Sequence, residues 1–155
     1  FEVDLECAVV RTSWVVGRYG ANMAKTILRL AAGDSPLRFV DDQRGCPTWA
    51  ADLAVAALGV LEALEAGAPA QSILHAAGDT AVSWAEFAEM IFAEQALKER
   101  AFAKVRHITT AEYPTPARRP RNSMLSIERL SAMTDWRPTP LPAAIAAVCD
   151  QLAEG

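Results

Sequence analysis

Strand-like and helix-like segments alternate along this chain, and this alternation constrains its fold more than any other feature. Short apolar runs typical of strands lie near residues 5–12, 37–40, 72–76 and 104–108. Between and after them come longer stretches with apolar residues every three or four positions, typical of amphipathic helices. This order favours an α/β or mixed α+β unit over a helical bundle or a β-sandwich.

Capping residues locate several helix ends. Asn22 can cap a helix that begins at Met23, and Gly33 can close it. Ser83 and Glu86 have the spacing of a capping box, in which each side chain accepts a hydrogen bond from the backbone N–H of the other residue. Further helices are predicted through apolar stripes at 53–64, 87–97, 127–133 and 142–152.

Length and composition indicate one domain over residues 1–155. A chain of 155 residues with 52% hydrophobic content can bury a single core. The net charge of -4 is modest and both signs are interspersed, so neither nucleic acid nor a membrane surface is an expected partner. With no signal-peptide layout and no membrane-length apolar run, we expect a cytoplasmic protein. The three cysteines, Cys7, Cys46 and Cys149, lack metal-ligand or redox spacing and are expected to be reduced thiols.

The start of the chain resembles the middle of a protein. Phe1 is not a methionine, and the sequence reaches the apolar run 7–10 almost at once. We therefore expect a piece of a longer chain.

Four polar or aromatic segments are candidates for function: 11–14, 42–48, 83–84 and 113–121. The first follows a predicted strand, and ligands of open α/β sheets bind at the carboxyl ends of strands. Trp14 could offer a flat face to a base or sugar, although a tryptophan here is more often a core residue.

The other segments also have two interpretations. Gln43, Arg44 and Thr48 could line a pocket for hydroxyls or a uracil-like ring; equally, Thr48 could cap the next helix while Gln43 and Arg44 are solvated. Arg119, with its arginine neighbours at 118 and 121, suits a diphosphate because guanidinium groups donate in pairs, although charge runs are usually just solvated.

Catalytic, cofactor-binding and metal-binding residues are not expected in this chain. His75 and His107 are far apart and have no carboxylate or cysteine at ligand spacing. The sequence contains no Gly-x-Gly-x-x-Gly turn for a pyrophosphate. A Tyr-x-x-x-Lys pair is absent too, because Tyr19 is followed by Met23 at that spacing and Tyr113 by Ala117.

Several of these segments, in this order, resemble the C-terminal part of the dTDP-4-dehydrorhamnose reductase family of extended short-chain dehydrogenases. The resemblance covers nearly the whole chain. The matching segments are 9–17, 20–22 with 26–30, 41–48, 51–53, 75–78, 83–84 with 87–88, 113–117 and 119–120. The implied fold is the substrate-binding portion of such an enzyme, in which residues 1–17 form a late strand of the sheet of a Rossmann domain that precedes this chain.

The resemblance also implies an activity for the full-length protein. That activity is the NADPH-dependent reduction of dTDP-4-dehydro-L-rhamnose to dTDP-L-rhamnose, with NADPH and a Tyr/Lys pair held by an N-terminal Rossmann half. Trp14, Gln43 and Thr48 would then contact the dTDP-sugar, and Arg119 would lie near its diphosphate. Val16 departs from the family pattern, which often has tyrosine there.

Two other functions stay open. One is a non-catalytic binding or regulatory protein, because the regulatory subunit of methionine adenosyltransferase is similar to the same family. The other is an epimerase or dehydratase acting on another nucleotide sugar. Separation from the Rossmann half would expose apolar surface around residues 7–10, so we expect a homo-oligomer.

Overall fold

The computed structural model describes residues 7–32, 36–70, 72–96 and 104–153. The helices are α1 (Met23–Ala31), α2 (Ala50–Glu65), α3 (Trp84–Ala96), α4 (Glu128–Thr134) and α5 (Leu141–Ala153). The strands are β1 (Ala8–Arg11), β2 (Val15–Val16), β3 (Arg38–Val40), β4 (Arg44–Gly45), β5 (Thr48–Trp49), β6 (Ser72–His75), β7 (Val82–Ser83) and β8 (Arg106–Ile108). The predicted mixture of strands and helices is confirmed.

The strands form four two-stranded ladders. β1 pairs with β6, β2 with β5 and β3 with β8, all in parallel, while β4 and β7 are antiparallel. In β1 and β6, Ala8 lies opposite Ser72 and Arg11 opposite His75. The chain passes through both α1 and α2 between these two strands, and a parallel pair requires such a long connection.

The predicted cap at Asn22 is confirmed. Asn22 is extended, with φ -152° and ψ 170°, and its side-chain oxygen accepts from the Lys25 N–H at 3.2 Å. Its side-chain amide also donates to the Gly17 carbonyl at 2.7 Å, which fixes the loop before α1. Gly33, predicted to close the helix, lies outside the described residues.

The capping box at the start of α3 is confirmed as well. The Glu86 N–H donates to Ser83 Oγ at 3.1 Å, and the Ser83 N–H donates to Glu86 Oε2 at 2.7 Å. The box holds Trp84 at the first position of the helix. Leu97, predicted to lie on the apolar face of α3, falls outside the described residues.

The interpretation of Thr48 as a helix cap is wrong. Trp49 is the residue before α2, and no side-chain hydrogen bond caps that helix. Thr48 instead lies in β5, one position earlier. The predicted end of α2 is confirmed, because Gly67 adopts a φ of +88° just beyond it.

Two apolar clusters hold these elements together. The first joins α1, β3, α3 and α5 through buried residues that include Ile27, Phe39, Phe87, Ile91 and Val148. The second joins β1 and β6 to α2 and α4 through residues that include Val10, Val60, Leu74, Leu130 and Trp136. Asp52 reinforces the second cluster, because its carboxylate accepts from the N–H and hydroxyl of Thr139.

One face of the β1–β6 ladder is open. Successive strand residues point to opposite faces, so Val10 and Leu74 face the second cluster while Val9 and Ile73 point away from it. Val9 is 51% exposed and Ile73 is 42% exposed. Within the described ranges, no helix is both long and apolar enough to span a membrane.

Candidate functional site

A cavity of about 740 Å³ lies between α1, β3, the start of α3 and the segment from Tyr113 to Ser123. Its wall includes Trp14, Gln43 and Arg119, which the sequence singles out from three separate segments. Thr48, the fourth predicted site residue, does not line it. The wall also contains the apolar and aromatic side chains of Met23, Leu30, Leu37, Phe39, Trp84 and Tyr113.

Two tryptophans are stacked at this wall. The Trp14 and Trp84 rings are nearly parallel, with 6° between their planes and 3.4 Å between their centroids. Trp84 is held at the start of α3 by the capping box, whereas Trp14 lies in the turn between β1 and β2. The stack therefore joins the carboxyl end of β1 to the amino end of α3.

Gly45 covers the other face of Trp14. A Cβ at position 45 would lie 2.4 Å from Cε2, 2.6 Å from Nε1 and 2.8 Å from Cδ2 of Trp14. Cε2 and Cδ2 are the two atoms shared by the fused rings, and Nε1 is bonded to Cε2. A Cβ can approach all three atoms this closely only from above or below the ring plane. Because Trp84 already occupies one face, Gly45 must lie on the opposite one. Both faces of the Trp14 ring are therefore covered by the protein, which leaves the ring edge for the cavity, and a ligand contact by Trp14 stays a prediction.

Thr48 holds the turn at Trp14 through hydrogen bonds to its backbone. Trp14 adopts a left-handed φ of +50°, which is uncommon for a residue with a side chain. Its carbonyl accepts from the Thr48 N–H at 3.1 Å, and the Ser13 carbonyl accepts from the Thr48 hydroxyl at 2.8 Å. The same hydroxyl oxygen accepts from the Gly78 N–H at 3.2 Å. Thr48 is fully buried, and its hydroxyl is already engaged with the backbone.

Gln43 is mostly buried, and its side-chain amide is hydrogen-bonded to a residue that does not line the cavity. Its Nε2 donates to Thr110 Oγ1 at 3.0 Å. Thr110 in turn donates from both its N–H and its hydroxyl to Asp42 Oδ1, at 2.8 Å and 2.6 Å. The Thr110 hydroxyl is the largest influence that lowers the pKa of Asp42, so this carboxylate is ionised at neutral pH.

Arg119 is the arginine of the predicted cluster that lines the cavity; Arg118 and Arg121 do not. All three residues are exposed, as is the whole segment from 111 to 122. Arg44 faces elsewhere, because its guanidinium donates to the Ala81 carbonyl at 2.9 Å and pairs with Glu86 at 3.2 Å. The ligand contact considered for Arg44 thus has no support in its placement.

The two histidines lie away from the cavity. His75 Nδ1 is 3.2 Å from the Ser126 carbonyl. His107 lies between two carboxylates, with Nε2 2.9 Å from Glu89 Oε1 and Nδ1 3.1 Å from Asp41 Oδ2. Hydrogen bonds to Glu89 and then Asp41 raise the pKa of His107, and those from Ser83 and then His107 lower the pKa of Asp41. This arrangement joins β3, β8 and α3 at the surface.

Sequence reasoning missed part of the site. Trp84 belongs to one of the four candidate segments, but its pairing with Trp14 depends on a contact between distant residues. Thr110 lies in a 3-10 turn that the Thr109–Glu112 capping spacing indicates, but no local pattern links it to Gln43. The apolar wall formed by Met23, Leu30, Leu37 and Phe39 was predicted as helix and strand residues without a ligand role. The part of the chain that the structure describes contains no group of three or more potential metal ligands.

The chain is similar over most of its length to known proteins. Residues 2–154 match the family model described as the RmlD substrate binding domain. A dTDP-4-dehydrorhamnose reductase from Sinorhizobium fredii is 43% identical over 124 residues, which cover 79% of this chain and 42% of that protein. A dTDP-4-dehydrorhamnose reductase from Mycobacterium tuberculosis H37Rv is 38% identical over 148 residues, which cover 92% of this chain and 46% of that protein. The chain thus spans about half the length of its curated relatives.

Solved structures give the same result. The Clostridium acetobutylicum dTDP-4-dehydrorhamnose reductase has a TM-score of 0.78 at 31% identity, with 94% of this chain and 49% of that chain covered. The Bacillus anthracis enzyme, solved in complex with NADP, has a TM-score of 0.77 at 28% identity, with 93% and 48% covered. A UDP-glucuronic acid 4-epimerase from Bacillus cereus shares the fold alone, with a TM-score of 0.73 at 15% identity and 97% and 44% covered.

Proposed function

Since this chain belongs to the RmlD substrate binding domain family, we propose that it supplies the dTDP-sugar site of a dTDP-4-dehydrorhamnose reductase. The observation that carries the proposal is the convergence of Gln43, Arg119 and the Trp14–Trp84 stack on one cavity. A cavity of about 740 Å³ is in the size range of small-molecule sites. Its mixture of apolar wall and few polar groups suits a ligand with a base, a sugar and a charged linker.

Each part of the cavity suits one part of such a ligand. The Arg119 guanidinium can donate paired hydrogen bonds to a diphosphate, in the exposed segment where this charge stays hydrated before binding. Trp84 and Phe39 offer aromatic surface for a flat or weakly polar ring. Gln43 offers a neutral polar group that can discriminate among hydroxyl or N–H positions.

The reaction we propose for the whole protein is reduction of the C4 ketone of dTDP-4-dehydro-L-rhamnose to the alcohol of dTDP-L-rhamnose. NADPH supplies the hydride when bound. The chain has no Tyr-x-x-x-Lys pair, so we assign proton delivery to the remainder of the parent protein. The role of this chain is to bind the nucleotide sugar and orient its ring.

We propose that NADPH, when bound to the parent protein, reaches this chain at the carboxyl end of β1. Among the described side chains, Thr12 Oγ1 is a buried polar atom without a hydrogen-bond partner, at the carboxyl end of β1. A polar group from a bound cofactor or from the rest of the protein can satisfy it. The glycine-rich turn that would hold the pyrophosphate is absent from this sequence, so most of the NADPH site belongs to the N-terminal part. The three free cysteines suit a reducing, cytoplasmic compartment.

The test is calorimetric titration of this chain with dTDP-L-rhamnose, UDP-glucuronate and NADPH. We expect binding of dTDP-L-rhamnose alone. Arg119→Ala should weaken that binding about 10- to 100-fold, the loss of a charge-assisted hydrogen-bond pair.

Arg118→Ala is the matched control, because Arg118 is a neighbouring exposed arginine that does not line the cavity. Equal losses in both variants would mean that bulk charge attracts the ligand and would contradict the assignment of Arg119. Preference for UDP-glucuronate would instead support an epimerase-like substrate. Failure to bind any of the three would contradict a self-sufficient dTDP-sugar site in this chain.

A further inference from the structure

We propose that Thr110 is a positioning residue, which with Asp42 fixes the Gln43 amide so that its oxygen faces the cavity as a hydrogen-bond acceptor. The site then selects ligands that carry an O–H or N–H at that point. This inference rests on the proposed function for the identity of the ligand, but the orientation of the amide stands on the geometry of the protein alone.

The first step concerns the hydroxyl proton of Thr110. This hydroxyl has one proton to donate, and two acceptors lie within reach: Asp42 Oδ1 at 2.6 Å and the side-chain amide of Gln43 at 3.0 Å. An ionised carboxylate is a much stronger acceptor than a neutral amide oxygen. The 2.6 Å separation is typical of a hydroxyl donating to a charged oxygen, so the proton lies toward Asp42.

The second step concerns Gln43. With its proton committed to Asp42, the Thr110 oxygen can only accept from Gln43. The Gln43 amide must therefore present its NH₂ group, since the reverse orientation would bring two acceptor oxygens together without a proton between them. The backbone N–H of Thr110 also donates to Asp42 Oδ1 at 2.8 Å, which holds the carboxylate beside the Thr110 hydroxyl.

The third step concerns the amide oxygen of Gln43, Oε1. Gln43 is 9% exposed and lines the cavity, and its Oε1 has no hydrogen-bond donor among the described residues. An amide oxygen that faces a cavity can accept a hydrogen bond from water or from a ligand. Sugar hydroxyls and the N3–H of a pyrimidine are both such donors, so either part of a dTDP-sugar could supply the donor.

The first experiment needs no ligand. In a ¹⁵N-labelled chain, Thr110→Val should shift the side-chain NH₂ resonances of Gln43, because valine keeps the shape of threonine but cannot accept. Thr109→Val is the matched control, since the Thr109 hydroxyl bonds to Glu112 and lies outside the cavity wall. Gln43 NH₂ resonances that do not respond to Thr110→Val would overturn the proposal.

The second experiment tests whether Thr110 acts through Gln43. Thr110→Val should weaken dTDP-L-rhamnose binding about 3- to 10-fold, the value of one neutral hydrogen bond. In a Gln43→Met background the same substitution should have no further effect, which a double-mutant cycle measures. An equal loss in both backgrounds would mean that Thr110 does not act through Gln43, contrary to the proposal.

Two ligands identify the donor. If the Thr110→Val loss is the same for dTDP and for dTDP-L-rhamnose, the base or deoxyribose supplies the donor; a loss seen with dTDP-L-rhamnose alone assigns it to the sugar. If the unmodified chain binds neither ligand, the proposed function fails. The resonance experiment then decides the amide orientation by itself.

Discussion

Close packing at the cavity determines which part of each side chain remains accessible there. The Trp14 ring lies between Trp84 and the bare Cα of Gly45, and its left-handed turn is held by the buried hydroxyl of Thr48. Trp14 is therefore a structural support whose edge, not its face, reaches the ligand space. A similar division holds for Gln43, since one end of its amide bonds to the protein and the other remains for a ligand.

Gly45→Ala should separate the two tryptophans. Its Cβ would overlap the Trp14 ring at 2.4 Å, and overpacking of this kind costs about 1–3 kcal/mol. We expect a lower free energy of unfolding in urea and loss of the near-ultraviolet circular dichroism of the stacked indoles. Gly59→Ala in α2 is the control, because its Cβ would meet Thr134 at an ordinary 3.4 Å and helix propensity favours alanine by about 1 kcal/mol. If Gly45→Ala behaved like the control, Gly45 would not be needed to accommodate Trp14.

Chemistry and chain position together indicate three residues that share one cavity. Trp14, Gln43 and Arg119 lie in loops after strands or in a stiff arginine-rich segment, and all three line the cavity. Thr48 is indicated on the same basis, yet its hydroxyl is engaged with the backbone, which no local pattern can reveal. Whether any of the four touches a ligand stays a prediction.

At the scale of elements, the helix starts that the sequence predicts are those with local capping residues. Asn22 and the Ser83–Glu86 pair mark the starts of α1 and α3 because their hydrogen bonds join residues three positions apart. The two-residue strands β2, β4, β5 and β7 were missed. Each owes its existence to a partner far along the chain, so its own sequence carries almost no signal.

The contact of His107 with Asp41 and Glu89 makes the packing of β3, β8 and α3 depend on pH. The raised pKa of His107 means that its stabilising contribution is complete below its ordinary value near 6.5 and is lost as pH rises through the raised value. The lowered pKa of Asp41 gives the opposite trend, with stability lost in acid as pH falls through the lowered value. His107 is 39% exposed, so we expect a contribution of at most about 1 kcal/mol.

Thermal unfolding of His107→Gln between pH 5 and 8 tests this contact. The melting temperature of the unmodified chain should exceed that of the variant at pH 5, and the gap should close toward pH 8. His75→Gln is the control, because the partner of His75 Nδ1 among the described residues is the Ser126 carbonyl and not a carboxylate. A gap that is independent of pH would show that protonation of His107 does not stabilise the fold.

At the scale of the whole molecule, the chain has an apolar surface that it does not cover. Val9 and Ile73 lie side by side on the open face of the β1–β6 ladder, while the other face packs on α2 and α4. A second apolar surface runs along α2 through Val55, Leu58 and Leu61, each 57–60% exposed. In the proposed parent protein, the N-terminal half would cover the open face of the ladder.

The isolated chain should therefore self-associate at micromolar concentration. Sedimentation velocity should detect dimers or larger species, and Ile73→Lys should shift the distribution toward monomer by placing a charge on the ladder. Leu58→Lys on α2 is the comparison. Dissociation by Leu58→Lys but not by Ile73→Lys would identify α2 as the contact surface, and a monomeric unmodified chain would contradict self-association altogether.

The ladders have a consequence for how the chain reaches its native state. Every strand pair that the structure describes joins residues more than thirty positions apart, from Val15 with Thr48 to Arg38 with Arg106. Large loops must close before any of these pairs gains a hydrogen bond, which makes such topologies slow to fold. Helices α1 and α3, with their own caps, can form early, whereas the tryptophan stack requires positions 14 and 84 to meet. In a chain whose Trp49 and Trp136 are replaced by phenylalanine, indole fluorescence would therefore report a late event in folding, when the chain first encloses the cavity.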